Sequence, residues 1–396
     1  VSPFNGAIGS QSSLREANSA RIIEAIKHYG QITQVELAAV TSLSPATISN
    51  IVKQLVANNI VQTDTTIRSG RRAQLVSMAV SNGLSVGVQI GHRHLALEIS
   101  DETHEVTAHH RLPLPAQHRV DTTLDRVALL VMELAEEVGS SLESINSIGV
   151  CLPAPIDPDT GITDKLLCLE GWDNLNIRDV LGARLQRPII VENDANAGVV
   201  GESRFGALRG INDALYIHAS RSIGAGILVG GRIHHGYRGM AGEISHVQVD
   251  PNGLVCRCGA RGCLETIVGV DALLSLLRLH GTARSLSDLV AAAQAGDVGC
   301  RRIISDAATT IGNAIADLAI VFAPKRIVFG GDLPATGDLF FNPIRDIFSK
   351  RPAIPPDVDI VASSLDGRAE VLGVLALARD AFQTSPTRSP LLGGTP

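Results

Sequence analysis

Apolar positions recur along the first eighty residues with a helical period, and then the rhythm changes. Ile22, Ile23 and Ile26 share one face of a helix expected over 15–28. "QVELAAVT" (34–41) predicts a short second helix with Val35, Leu37, Ala38 and Val40, and "GQIT" before it reads as a turn. Ile48, Ile51, Val52 and Leu55 fall at i, i+3, i+4 and i+7 of a third helix within 42–59. Ser44 suits its N-cap, and Pro45 suits the first helical position, where a missing N–H costs nothing. "IVQT" and "LVSM" then flank a turn region, "DTTIRSGRRAQ", which predicts a two-stranded wing.

The outward face of the third helix carries Ala46, Thr47, Asn50 and Lys53, small and polar near the helix start. Recognition helices present such residues to base edges. Thr47 and Asn50 suit bases and Lys53 suits phosphate, while Arg68, Arg71 and Arg72 at the wing suit a phosphate backbone or a minor groove. Together with Ser44, these residues form the candidate contact set for double-stranded operator DNA.

From residue 84 short apolar runs replace the helical period. "LSVGVQIG", "HLALEIS" and "HEVTAHHRL" predict an antiparallel meander, followed by an amphipathic helix over 122–139 and buried strands in "SINSIGVCLPAP" and "LQRPIIVENDANAG". A second set follows in "DALYIHAS", "GAGILVGGRI" and "GEISHVQVD", then helices up to "RIVFGGDL". Two successive strand groups with helices predict a two-lobed α/β body. Polar residues gather where its strands end: Asn193, Asp194 and Asn196 in one place, Glu243 and His246 in another. Such crevices bind small molecules.

Charge separates the two regions. Residues 1–80 hold seven basic and four acidic side chains, leaving +3 on the head and −9 on the rest of a chain with net charge −6. A basic head on an acidic body points to a polyanion partner for the head alone. No run of 18 apolar residues occurs, and the N-terminus lacks the layout of a signal peptide, so a cytoplasmic address with no membrane partner is expected. Stable disulfides are not expected there.

That leaves "VCRCGARGCLE" to explain, since it packs three of the six cysteines into eight positions. Cys256, Cys258 and Cys263 with His246 make a Cys3His set, the pattern of a closed structural zinc site with no open position for activating water. Gly259 and Gly262 allow the tight turns that gather the sulfurs. Cys151, Cys168 and Cys300 are scattered and read as small core hydrophobes. Glu243 and Glu265 flank the zinc loop, so the metal would hold both carboxylates ready for the hydroxyls of a sugar.

These residues resemble the ROK family (repressors, open reading frames and sugar kinases). The segment "GEISHVQVDPNGLVCRCGARGCLE" is similar to its Glu-x-Gly-His and Cys-x-Cys-Gly-x-x-Gly-Cys-x-Glu motifs, and "GWDNLNIRDVLGARLQRPIIVENDANAGVVGE" to its sugar-pocket segment. The head resembles the winged helix-turn-helix of the repressor branch, and the likeness runs from about Leu14 through nearly the whole chain. It implies an α/β fold in which a winged helix-turn-helix (1–80) precedes an actin-like, two-lobed sugar-kinase-like body. The first lobe would span 81–200 with a C-terminal helix about 368–384, and the second 201–367; the Pro-, Ser- and Gly-rich tail, 385–396, is expected to be disordered. It implies sugar contacts from Asn193, Asp194, Glu243, His246 and Glu265, with zinc on His246, Cys256, Cys258 and Cys263. In kinase members the aspartate at the Asp194 position is the general base.

The nucleotide half departs from that pattern. Where family kinases carry Asp-x-Gly-Gly-Thr, this chain has "QIGHRH": Gln89 replaces the aspartate, and His92, Arg93 and His94 replace the compact turn. Bulky side chains obstruct the close backbone approach that phosphates need. Ser245 and Ala154 each replace a family glycine. The expected protein is thus a non-enzymatic regulator, a repressor with a sugar or sugar-derivative effector, working as a homodimer or homotetramer. The rival readings are a sugar kinase with an added head and a regulator controlled by a protein partner.

Overall fold

The computed structural model describes residues 11–57, 60–68, 71–78, 83–101, 105–164, 169, 171–278 and 285–384; the expected disordered tail and Cys168 lie outside them. The chain divides into a head up to Asn82 and a body from Gly83 to Phe382.

In the head, helix α1 (Gln11–Tyr29), strand β1 (Gln31–Thr33), helices α2 (Gln34–Thr41) and α3 (Pro45–Ala57), and strands β2 (Val61–Arg68) and β3 (Arg71–Met78) enclose one core. Ile22, Ile26, Leu37, Ile48, Ile51, Val52 and Leu55 are buried, each contributing on the order of 1.5–3 kcal/mol. Val35 and Val40 are exposed, because so short a helix has a single inward stripe and Leu37 occupies it. A capping box starts α2: Thr33 Oγ1 accepts from the Glu36 N–H, and the Glu36 carboxylate accepts from the Thr33 N–H at 2.8 Å. The helix ends at Ser42 in left-handed backbone (φ 55°), and α3 departs at 115°. That angle is the helix-turn-helix geometry.

Two expectations for the head change. "GQIT" holds a strand as well as a turn, for β1 pairs with β3 at Ile32↔Val76 and completes a three-stranded sheet of order β1-β3-β2. The wing is also longer, because β2 and β3 pair from Val61↔Met78 to Arg68↔Arg71. The β-branched residues of "DTTI" favour strand over turn.

The body contains one topology twice. Strands β4 (Leu84–Ile90), β5 (His94–Ser100) and β6 (Val106–Pro113) form a meander; helix α4 (Val120–Glu137), β7 (Ile145–Leu152), helix α5 (Ile177–Leu185), β8 (Ile189–Asn193) and helix α6 (Asp194–Phe205) follow. The second half repeats this with β9 (Ala214–Ala219), β10 (Ile223–Val229) and β11 (Arg232–Ile233), then helices α7 (Glu265–Val268), α8 (Val270–Arg278), α9 (Leu286–Gln294) and α10 (Val298–Phe322). Strand β12 (Arg326–Gly330), helix α11 (Asp338–Ser349), β13 (Asp359–Ala362) and helix α12 (Ala369–Thr384) close it. The sheet orders, β6-β5-β4-β7-β8 and β11-β10-β9-β12-β13, correspond strand for strand. In both, the first three strands are antiparallel and the last two parallel. Among the described residues, α10 alone is long and apolar enough to cross a membrane, and its inner face packs in the core of the second half.

Helices α6 and α12 tie the halves together. Helix α6 leaves the first sheet yet packs on the second, where a Cβ on Gly198 would overlap the Tyr216 ring and one on Gly226 the Ala195 carbonyl. Helix α12 leaves the second sheet and packs on the first, where a Cβ on Gly87 or Gly149 would meet the Val371 or Val374 carbonyl. The two helices touch each other where Gly201 faces the Ala369 carbonyl and Gly373 the Ala197 carbonyl. Glycine is needed because backbone meets backbone.

The expected strand in "GEISHVQVD" is absent. A single 3-10 turn covers Ile244–His246, and the chain then folds back on the cysteine loop. Val249 N–H donates to the Gly262 carbonyl at 2.8 Å, and Leu264 N–H to Val247 at 2.8 Å. Local apolar alternation yields to this loop pairing.

Candidate functional site

On α3, Ser44, Ala46, Asn50 and Lys53 are exposed and Thr47 half-buried, so the face read as DNA-facing is open. Ser44 is the N-cap: its hydroxyl accepts from the Thr47 N–H at 3.1 Å and lies 2.8 Å from the Thr47 hydroxyl. Thr47 therefore shares its hydroxyl with the cap, and Asn50 has the freer polar group. The backbone register sets Arg68 opposite Arg71 at the far end of the wing, with Arg72 next. The side chains of these three lie outside the described residues.

The four expected metal ligands converge. Their donor atoms lie within 4.8 Å of one another. Cys258 Sγ is 3.7 Å from Cys263 Sγ, and Cys256 Sγ is 3.6 Å from His246 Nδ1. A tetrahedron with zinc–sulfur bonds of ~2.3 Å has sulfur–sulfur edges of ~3.8 Å, so the Cys258–Cys263 spacing fits zinc and is too long for a disulfide. Gly259 and Gly262 take φ of 91° and 67°, as the turns require. Cys151 and Cys300 are buried far along the chain, as small core residues.

The polar cluster forms around α6. Asn193 caps this helix with its oxygen, accepting from the Asn196 N–H at 3.1 Å, and its Nδ2 donates to the Ala154 carbonyl at 3.1 Å. Most of its capacity is thus structural. Asp194 is 9% exposed, and burial pushes its carboxyl up. Burial, with the charge of Asp194, pushes Glu243 up to about 7, and Asp164 and Glu265 act in the same sense. Burial also raises Glu265, whose Oε2 has no hydrogen-bond partner. Arg257, between two of the cysteines, opposes the rise of both glutamates. A carboxyl whose ionisation burial resists can donate to as well as accept from a hydroxyl, which suits a polyol.

Asp194 also lines a cavity of about 660 Å³ on the other side of the cluster. The β4–β5 turn forms one wall. There the Gly91 N–H donates to the His94 carbonyl at 2.9 Å, and the Gly91 carbonyl meets His118 Nε2 at 3.2 Å. The Gly91 amide is thus spent on closing the hairpin. Burial and the charges of Arg221 and Arg257 push His92 down to about 3, so it is neutral.

Sequence reasoning missed three buried ionic groups here. Glu192 accepts from the Asn193 N–H at 2.9 Å and from Asn196 Nδ2 at 3.0 Å, and meets His235 Nε2 at 2.8 Å. It orders the cluster from beneath. Glu370 of α12 pairs with His218 Nδ1 at 2.7 Å and accepts from the Tyr216 hydroxyl at 2.7 Å. Burial alone would depress His218, but Glu370, Asp194 and Asp332 outweigh it and push the imidazole up to about 9. The Ser220 hydroxyl donates to the Asp332 carboxylate. Each group was signalled only by a charge in an apolar run, "IIVEN", "LYIHA" or "AEVLGVLALA".

A winged helix-turn-helix head with a duplicated, actin-like body holding a cysteine–histidine cluster beside a carboxyl-rich crevice defines a class of sugar-kinase-like regulators. The ROK family model matches residues 85–381, and a winged helix-turn-helix DNA-binding model matches 15–62. The chain belongs to the ROK family. It is 27% identical to the DNA-binding transcriptional repressor Mlc of Escherichia coli, over 98% of each chain. It is also 27% identical to a putative xylose repressor of Caldicellulosiruptor, over 93% of this chain and 97% of that one. Among solved structures, a ROK family glucokinase from Streptomyces griseus, in complex with glucose and AMPPNP, superposes with a TM-score of 0.67 at 28% identity, covering 75% of this chain and 99% of that one.

Proposed function

We propose that the protein is a DNA-binding transcriptional repressor, not an enzyme, whose operator affinity is set by a sugar or sugar derivative held in the crevice of its body. One observation carries this reading: a polar, open recognition face on α3 stands at the front of a chain similar over nearly its whole length to named repressors. The head, 1–80, binds double-stranded DNA through Ser44, Ala46, Thr47, Asn50 and Lys53 on α3 and Arg68, Arg71 and Arg72 on the wing. The first lobe is 81–200 completed by 368–384, since α12 packs on the glycines of β4 and β7; the second is 201–367. The protein works in the cytoplasm as a homodimer or homotetramer, because paired heads on a two-fold site supply specificity.

Asn193, Asp194, Glu243, His246 and Glu265 bind the sugar. Zinc on His246, Cys256, Cys258 and Cys263 is structural and supplies no reaction chemistry. With Nδ1 turned to the sulfurs, the opposite ring nitrogen of His246 is left for a hydroxyl. Sugar bound between the lobes favours one lobe arrangement, and DNA affinity shifts by the difference in sugar affinity between the two arrangements. Phosphoryl transfer is disfavoured by the bulky His92, Arg93 and His94 in the first turn and by Gln89 at the position of an acidic residue.

The test is binding of the purified full chain to DNA from its own upstream region at fixed salt, with and without a panel of sugars. Specific binding released by a sugar is expected. Binding no tighter than to random DNA would refute the regulator, and turnover of ATP with a sugar would make the chain a kinase.

A further inference from the structure

Residues 235–241 form a strap between the two lobes of the body. Its root lies on β10 of the second lobe, where the His234 N–H donates to the Ile227 carbonyl at 2.8 Å and the Ala225 N–H to the Gly242 carbonyl at 2.9 Å. The strap closes on itself, with the Ala241 N–H donating to the His235 carbonyl at 3.0 Å. Its tip rests on the first lobe. Gly239, at φ 74°, approaches the Ile156 carbonyl so closely that a Cβ would overlap it. Two polar fasteners join the strap to that same lobe. His235 Nε2 lies 2.8 Å from Glu192 Oε2 on β8, and Arg238 Nε lies 3.5 Å from Asp157 Oδ2. Both acids are oriented by their other oxygen. Asp157 Oδ1 accepts from the Asp159 and Thr160 N–H groups at 3.0 and 3.2 Å, and Glu192 Oε1 from the Asn193 N–H and Asn196 Nδ2.

Arg238 takes left-handed backbone, φ 55° and ψ 28°. Glycine adopts that conformation freely, whereas a residue with a Cβ is strained in it and stays there only when surrounding contacts over-determine it. The arginine that stands here reaches across to the other lobe. Past its root the strap runs on to Glu243 and His246, so it carries the second-lobe part of the polar cluster, while Glu192 orders the first-lobe part. We propose that residues 235–241 are an interlobe strap, and that the crevice opens by release of its two fasteners, His235–Glu192 and Arg238–Asp157. The strap is independent of which ligand the crevice takes; its bearing on operator affinity rests on the regulator reading above.

The test is the distance between two spin labels on the full chain, carried by non-natural residues at the exposed positions Leu129 on the first lobe and Val298 on the second. The variants are His235→Ala, Arg238→Gly and the two together. Arg238→Gly removes the ion pair while suiting the left-handed backbone, so it separates loss of the fastener from backbone strain. Each single variant should widen the distance distribution and shift it to longer values, and the double variant should do so most. The arginine of the second fastener is largely exposed and its ion pair is open to screening. Added salt should therefore open His235→Ala further and leave the double variant as it is. Exchanging the charges, Arg238→Asp with Asp157→Arg, should restore the narrow distribution that Arg238→Gly loses. The inference is overturned if the double variant keeps the wild-type distribution, even with a lowered melting temperature, or if salt widens the double variant as much as His235→Ala. A chain that binds no operator DNA would sink the regulator reading and leave these distances to judge the strap.

Discussion

His246 turns Nδ1 toward Cys256 Sγ, 3.6 Å away, and the other nitrogen of the same ring, Nε2, is buried with no hydrogen-bond partner. One imidazole thus presents one nitrogen to the candidate metal set and leaves the other buried and unpartnered. A metal held there would fix the tautomer and orientation of the ring, and on the function proposed above would link the loop to the ligand site.

Removing one sulfur tests that coupling. Cys258→Ser should lower bound zinc well below one per chain, measured by atomic emission, and remove the sugar effect on DNA binding. Zinc retained at one per chain would contradict the ligand set.

On the head, Asn50 is the exposed amide nearest the start of α3. Asn50→Ala should weaken operator binding by about 1–3 kcal/mol, the worth of a good base contact. Binding to random DNA should change much less in the same titration, and equal losses on both would deny base reading.

The crossing of α6 and α12 has no room for a methyl group. Gly373→Ala would drive a Cβ into the Ala197 carbonyl, both on helices with little freedom to yield. Urea unfolding should show a loss of about 1–3 kcal/mol, the usual cost of overpacking. An unchanged midpoint would mean that the helices part easily.

The His218–Glu370 pair gives the body a pH signature. His218 is raised to about 9 in the folded chain from an ordinary 6.5, so its contribution is complete below 6.5 and is lost as pH climbs through about 9. Burial opposes ionisation of Glu370, but the His218 hydrogen bond and charge overcome it and hold the carboxyl low, so its share fades only in acid. The melting temperature of the wild type should fall between pH 6.5 and 9, and His218→Gln should flatten that decline. A decline of the same slope in the variant would assign it elsewhere.

Much of this was legible from residue order alone. The three helices of the head, the cap at Ser44 and the cysteine–histidine set are local patterns, written within a few dozen residues, where side-chain period and donor chemistry act directly. The strand rhythm of the body disclosed two lobes for the same reason. What residue order could not disclose was whatever depends on distant parts of the chain meeting. The third strand of the head needs β3 beside it, and the lost strand of "GEISHVQVD" needs the cysteine loop to draw it away. The glycines of α6 and α12 acquire meaning only where two backbones cross. Glu370 and His218 lie 152 positions apart, and an acid in an apolar helix does not name the base that will neutralise it. Local interactions act over neighbours in sequence, whereas burial and charge act over neighbours in space, and only the folded chain determines which those are.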